Sequence, residues 1–145
     1  MKINTKDFGE LTIEESEVIF FPKGLFAFEE VKEFVLIEMD GYLQKWLQAV
    51  NDANPRLIVL NPSDILEGYE PHIPDEVLRE LKIGKNDKYS IYVVAVIPEN
   101  IKNMTVNLKS PIIVNYEKRL AEQVILEKED LPIRYRVFQE KKGGF

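Results

Sequence analysis

A chain of 145 residues with a formal net charge of −6 and no cysteine suits one domain burying roughly two-thirds of its unfolded surface, and it excludes disulfides, thiolate metal sites and cysteine nucleophiles. The single histidine, His72, rules out a multi-histidine metal centre within one chain. The acidic balance works against binding nucleic acid by phosphate neutralisation and favours a basic partner.

The opening residues, Met1 to Asp7, lack the apolar core of a signal peptide, and no apolar run approaches the ~18 residues that span a bilayer. The expected location is the cytoplasm, with no membrane. Ile3 to Thr5 and Leu11 to Ile13 read as a hairpin about Asp7-Phe8-Gly9. Glu14-Glu15-Ser16-Glu17 exposes three carboxylates, ordinarily a solvated loop. Val18 to Phe21 is a core strand ended by Pro22-Lys23-Gly24, and Phe34 to Ile37 a second, reached through the polar link Glu29 to Glu33. Asp40-Gly41 predicts a type I′ hairpin turn into a strand containing Trp46, Leu47, Ala49 and Val50. Asn51 to Pro55 is a loop, and Arg56 to Leu60 a further strand closed by Asn61-Pro62.

Asp64 to Pro71 is acidic and irregular. Pro74 to Leu81 is the clearest helix: proline suits its start, Asp75 and Glu76 complement its N-terminus, and Val77, Leu78 and Leu81 share a face. Too short to persist alone, it must dock on a sheet. After a turn at Lys85 to Lys88, Tyr89 to Ile97 is the best central strand. Met104, Val106 and Leu108 alternate with Thr105, Asn107 and Lys109, the period of a half-buried strand. Pro111 breaks it from Ile112 to Val114. Tyr116 to Ala121 is read as one or two helical turns before a third apolar run, Val124 to Leu126. Leu131 to Val137 alternates apolar and basic residues as an edge strand or an extended tail does, and 138–145 is expected to be a flexible tail. Without repeats or linkers, the chain reads as mainly β, a single-domain antiparallel barrel-like fold with one short helix.

Catalytic constellations are missing. His72 sits between prolines before the helix, a surface or capping position. Ser16, Ser63, Ser90 and Ser110 lie in no G-x-S-x-G setting, and no phosphate-binding glycine pattern exists. Of the aromatics Phe20, Phe21, Phe26, Phe28, Phe34, Trp46, Tyr69, Tyr89, Tyr92 and Tyr116, most are expected in the core, since no basic stripe is interleaved with them. Asn61, Asn107 and Asn115 border apolar strands, where an amide satisfies turn or edge backbone groups.

FPKGLFAFEEVKEFVLIE from Phe21 to Glu38, IVLNP from Ile58 to Pro62, Tyr69, TVNLKSPIIVN from Thr105 to Asn115, Arg119, and QVIL from Gln123 to Leu126 together resemble the FliW family of bacterial flagellar assembly factors. Ala27 departs from it, standing where the family commonly has glycine. The resemblance implies a barrel-like domain without enzymatic activity or cofactor, and two protein partners: flagellin, and the RNA-binding translational regulator CsrA. It implies that flagellin occupies the protein until exported, after which the freed protein binds CsrA and relieves repression of flagellin mRNA. On that reading Glu14, Glu15 and Glu17 are expected on the CsrA face, and Tyr69, Asn107 and Asn115 on a strand-edge or loop surface. The rival classes are a small carboxylate-using hydrolase or ligand-binding barrel, which needs a pocket of converging acids with a raised carboxyl pKa, and a nucleic-acid-binding barrel, whose binding would fall steeply with salt.

Overall fold

The computed structural model describes residues 1–139. Strands β1 (Lys2–Thr5) and β2 (Gly9–Thr12) form a separate two-stranded hairpin, with Gly9 at φ +66 in the turn, a conformation open to glycine because it has no Cβ to clash. A 3-10 turn, Glu15–Glu17, leads into β3 (Ile19–Phe20). Then follow β4 (Glu33–Ile37), β5 (Lys45–Ala49) and β6 (Arg56–Leu60), each paired antiparallel with the one before. The helix α1 (Asp75–Glu80) precedes β7 (Ser90–Val96), β8 (Thr105–Val106), β9 (Ile112–Asn115), β10 (Leu120–Gln123) and β11 (Tyr135–Arg136).

Seven of these strands close on themselves. Following the hydrogen bonds, the ring runs β7, β6, β5, β4, β3, β10, β9 and back to β7. The long strand β7 makes closure possible by changing partner: Ser90, Ile91 and Tyr92 pair with β9, whereas Ala95 and Val96 pair with β8, which in turn carries β11 at the edge. All pairs in the ring are antiparallel except β3 with β10, joined at Phe20 and Leu120. Closure removes the unpaired edges an open sheet of this size would expose.

Period-two alternation decides what fills the ring. Ile19, Phe21, Phe34, Leu47, Ala49, Val59, Tyr92, Ile112, Val114 and Ala121 form the interior cluster. Phe21 and Phe34 are wholly buried and meet edge-on at 5.1 Å between centroids. Each contributes about 1.5–3 kcal/mol by burial. The outward residues of the same strands are covered piecewise. The β1–β2 hairpin lays Ile3 over Val35, Ile37 and Trp46; α1 lays Val77 and Leu81 over Ile113 and Val124; and Met104, Val106 and Leu108 cover Leu60 and Val93.

Three expectations are corrected. Tyr116 to Ala121 is not helical: a four-residue turn returns the chain directly into β10, pairing Leu120 with Asn115 and Gln123 with Ile112. The strand therefore falls at Leu120–Gln123, before the apolar run Val124 to Leu126. Ladder bonds of β9 outweigh the weak helical preference of Glu117, Lys118 and Arg119. The Asp40-Gly41 turn is not type I′, because only Gly41 adopts a positive φ (+83) and the turn closes from Tyr42 N–H to the Met39 carbonyl; the loop between β4 and β5 is correspondingly longer. Phe20, Phe26, Phe28 and Tyr89 are exposed, not core. Phe20 points outward because Ile19 and Phe21 on either side point in. Of Leu131 to Val137, read as an edge strand or extended tail, Tyr135 and Arg136 form the edge strand β11 and the residues before them lie outside the sheet. Of the tail expected at 138–145, residues 140–145 lie outside the described residues. No helix among the described residues is long and apolar enough to cross a membrane.

Candidate functional site

Strand directions gather five polar side chains of three chemical kinds at one end of the barrel. Because β3 is antiparallel to β4 and parallel to β10, and β10 and β7 are antiparallel to β9, the starts of β3, β7 and β10 meet the ends of β4 and β9. Glu17 enters just before β3, Glu38 just after β4, Tyr116 just after β9, Arg119 just before β10, and Tyr92 lies near the start of β7. With Ile19 and Leu36 they line an open cleft of about 410 Å³.

The floor of the cleft is a pair of phenols. Tyr92 and Tyr116 hydroxyls are 2.6 Å apart, closing off the apolar interior built from Leu47, Val59, Ile112 and Val114. Burial pushes the Tyr116 phenol far above its ordinary value, reinforced by the Tyr92 bond and the field of Glu38 and opposed by Arg119. Burial raises Tyr92 as well, against the lowering effect of its bond to Tyr116. Both remain neutral hydroxyls at neutral pH, able to donate or accept.

The walls are charged. Arg119 has a left-handed backbone (φ +55), its carbonyl accepts the Phe20 N–H at 2.9 Å, and its guanidinium lies 5.5 Å from the Tyr116 ring centroid. A non-glycine residue in this region costs about 1 kcal/mol or more and is often found where a side chain must be aimed. Among the described residues Glu38 has only the Lys45 ammonium for an ion pair, at 3.9 Å. Glu17 accepts the Glu14 N–H at 2.7 Å, so the acidic turn holds its own shape. Such a cleft offers a planar cation, two carboxylates and two hydroxyls to one occupant.

Of the side chains singled out in the sequence, Glu17 alone lines the cleft; Glu14 and Glu15 are exposed beside it on the same turn. The other three are occupied within the chain. Tyr69 donates to the Leu108 carbonyl at 2.7 Å, and burial, with Glu129 nearby, pushes its phenol up to about 12. Asn107 accepts from the N–H groups of Lys109 and Ser110, both at 3.0 Å, folding the loop before Pro111. Asn115 is 5% exposed and donates to the Leu81 carbonyl at 2.8 Å, tying the end of α1 to β9. Asn61 accepts the Ser63 N–H at 3.1 Å, the turn-satisfying role expected of these amides. Sequence reasoning gave Glu38 and Arg119 a place in the family resemblance but no site role, and grouped Tyr92 and Tyr116 with the aromatics expected mostly in the core. A signal for Tyr116 existed: it continues the inward parity of Ile112 and Val114.

The raised carboxyl that a hydrolase reading calls for lies elsewhere. Burial pushes Glu122 up, with Glu80 adding and Lys23 opposing. Lys23 sits 2.7 Å from Glu80 and 3.4 Å from Glu122, and chiefly the Glu80 bond raises its ammonium. Lys23 opposes the rise of Glu122 without cancelling it, because Glu122 is 8% exposed while the lysine end stays in water. Glu122 belongs to the outer face of β10 and lines none of the cleft.

Comparison with known proteins covers almost the whole chain. The model of the family described as FliW protein matches residues 2–137. The flagellar assembly factor FliW of Caldicellulosiruptor saccharolyticus is 38% identical over 94% of this chain and 90% of its own length, and that of Caldicellulosiruptor bescii 39% over the same shares. That of Thermoanaerobacter pseudethanolicus is 33% identical over 100% of this chain and 98% of its own. A crystal structure of a flagellar assembly factor FliW superposes with a TM-score of 0.91 at 32% identity, covering 97% of this chain and 99% of that one.

Proposed function

The chain belongs to the FliW protein family, and on that premise we propose that it is a flagellar assembly factor acting in the cytoplasm by occupancy. It binds flagellin before export; when flagellin has left, it binds CsrA and relieves repression of flagellin mRNA translation. The observation that carries this reading is likeness to flagellar assembly factors across both sequence and fold over nearly the full chain. An acidic chain suits a basic RNA-binding regulator, because complementary charge raises the encounter rate.

Sequestration needs surface rather than bond-making chemistry, in the range of ~1,600 Å² for a stable complex. Glu14, Glu15 and Glu17 supply the CsrA contact, as exposed acids on a turn held by its own hydrogen bond. Tyr69, Asn107 and Asn115 serve a second surface from behind, by fixing the backbone of the loop before β9 and the junction of β9 with α1.

A mobility-shift assay with purified CsrA and flagellin mRNA tests the switch. Adding this protein should release the RNA, adding flagellin should restore the complex, and the protein alone should leave RNA unshifted. RNA that stays on CsrA at saturating protein would overturn the reading.

A further inference from the structure

The charges at the open end of the barrel do not neutralise one another. Among the described residues Arg119 takes part in no ion pair and its side chain in no hydrogen bond, although two carboxylates line the same cleft. Its guanidinium lies instead over the Tyr116 ring, 5.5 Å from the centroid, on a left-handed backbone. A guanidinium placed over an aromatic face keeps its in-plane N–H fork free for a carboxylate. Opposite it, Glu38 has among the described residues only a lysine at 3.9 Å, and Glu17 spends one oxygen on the turn.

We propose that this cleft is a socket for an adjacent acidic and basic side chain on one segment of the regulator: the carboxylate seats on Arg119, and the basic group lies between Glu38 and Glu17 above the Tyr92–Tyr116 hydroxyls. This rests on the reading that CsrA is held at the Glu14–Glu17 turn, since Glu17 belongs to both turn and cleft. The lining itself selects the occupant. A lone cation would leave Arg119 without a partner and a lone anion would face two carboxylates, whereas a pair sets an opposite charge against each side of the cleft. A polypeptide is favoured over a free amphoteric solute because the cleft opens beside the exposed turn, so an inserted pair brings flanking contacts with it. The contact of the Arg119 guanidinium with the Tyr116 ring is present in the free protein, which lowers the ordering cost of binding.

The test compares binding of purified CsrA, and separately of purified flagellin, by the unaltered protein and by Arg119→Gln, Arg119→Lys and Glu38→Gln, with thermal melts confirming the fold. Arg119→Gln and Glu38→Gln should each weaken CsrA binding about 10- to 100-fold, chiefly through faster dissociation, and Arg119→Lys should recover little because lysine lacks the fork. Should Arg119→Gln melt early, Glu38→Gln reads the same socket from an exposed position. CsrA binding unchanged within about twofold in both neutral variants overturns the socket while leaving the CsrA reading intact. Weakened flagellin binding with unchanged CsrA binding overturns the assignment to the regulator. An unaltered protein that binds no CsrA removes the underlying reading and the socket together.

Discussion

Charge on the Glu14–Glu17 turn can be separated from the shape of the turn. The Glu14 N–H donates to the Glu17 carboxylate at 2.7 Å, and backbone bonds from Glu17 to Glu14 and from Val18 to Glu15 complete the turn. Lysine substitutions would break the side-chain bond along with the charge, whereas glutamine keeps an acceptor oxygen at each position. The informative variant is therefore Glu14→Gln, Glu15→Gln, Glu17→Gln together. All three side chains are exposed, so each rim pair with a basic partner contributes roughly 0.2–1 kcal/mol, and three together about 1–2 kcal/mol, or about 5- to 30-fold in affinity. The loss should fall mainly on the association rate. Because the Debye length shortens from ~10 Å at 0.1 M salt to ~3 Å at 1 M, the deficit should shrink as salt rises. Stopped-flow association with CsrA over a salt series measures both quantities. Equal affinity and an equal salt slope for the variant and the unaltered protein would refute the assignment of these acids to the interface.

Gln48, 1% exposed, accepts the Lys6 N–H and donates to the carbonyls of Ala49, Asp52 and Ala53; Gln48→Leu should cost about 3 kcal/mol and lower Tm by about 10 °C in a calorimetric scan. Ala27 sits at φ +70 in the turn closed from Phe28 N–H to the Leu25 carbonyl, so Ala27→Gly should gain about 0.5–1 kcal/mol in urea unfolding despite the extra chain entropy of glycine. Glu122, whose folded-state pKa lies above its ordinary value of 4.5, favours the fold when protonated. That contribution is complete below the unfolded-state pKa and is lost as pH rises through the folded-state one. Glu122→Gln should therefore stabilise most at neutral pH, where Glu80 and Glu76 also face the site and Lys23 retains Glu80. The advantage should vanish on acidification; a difference in urea stability that is constant with pH would contradict the burial of this charge.

Much of the architecture is written in local pattern. Apolar runs mark the strands at Phe34 to Ile37 and Arg56 to Leu60, alternation in Met104 to Leu108 marks the face that is buried, and the proline, acids and apolar stripe of Pro74 to Leu81 define α1 where it is found. Tyr116 to Ala121 was illegible for a reason of range. Its helix-compatible composition is a preference of a few tenths of a kcal/mol per residue, whereas the ladder with Ile112 to Asn115 is a tertiary gain no local window contains. Phe26 and Phe28 have core-like chemistry, but the turn at Ala27 and the bond from the Phe26 N–H to Gln123 hold them at the surface.

The amino-acid sequence by itself determined a β-rich chain with one docked helix, its acidic character and its family resemblance, because apolar patterning, turn chemistry and charge are properties of neighbours along the chain. Ring closure through the split pairing of β7, and with it the meeting of Glu17, Glu38, Tyr92, Tyr116 and Arg119, was decided only in three dimensions. Those five residues span a hundred positions of sequence, and what brings them together is the direction and register of strands whose pairing energy is non-local.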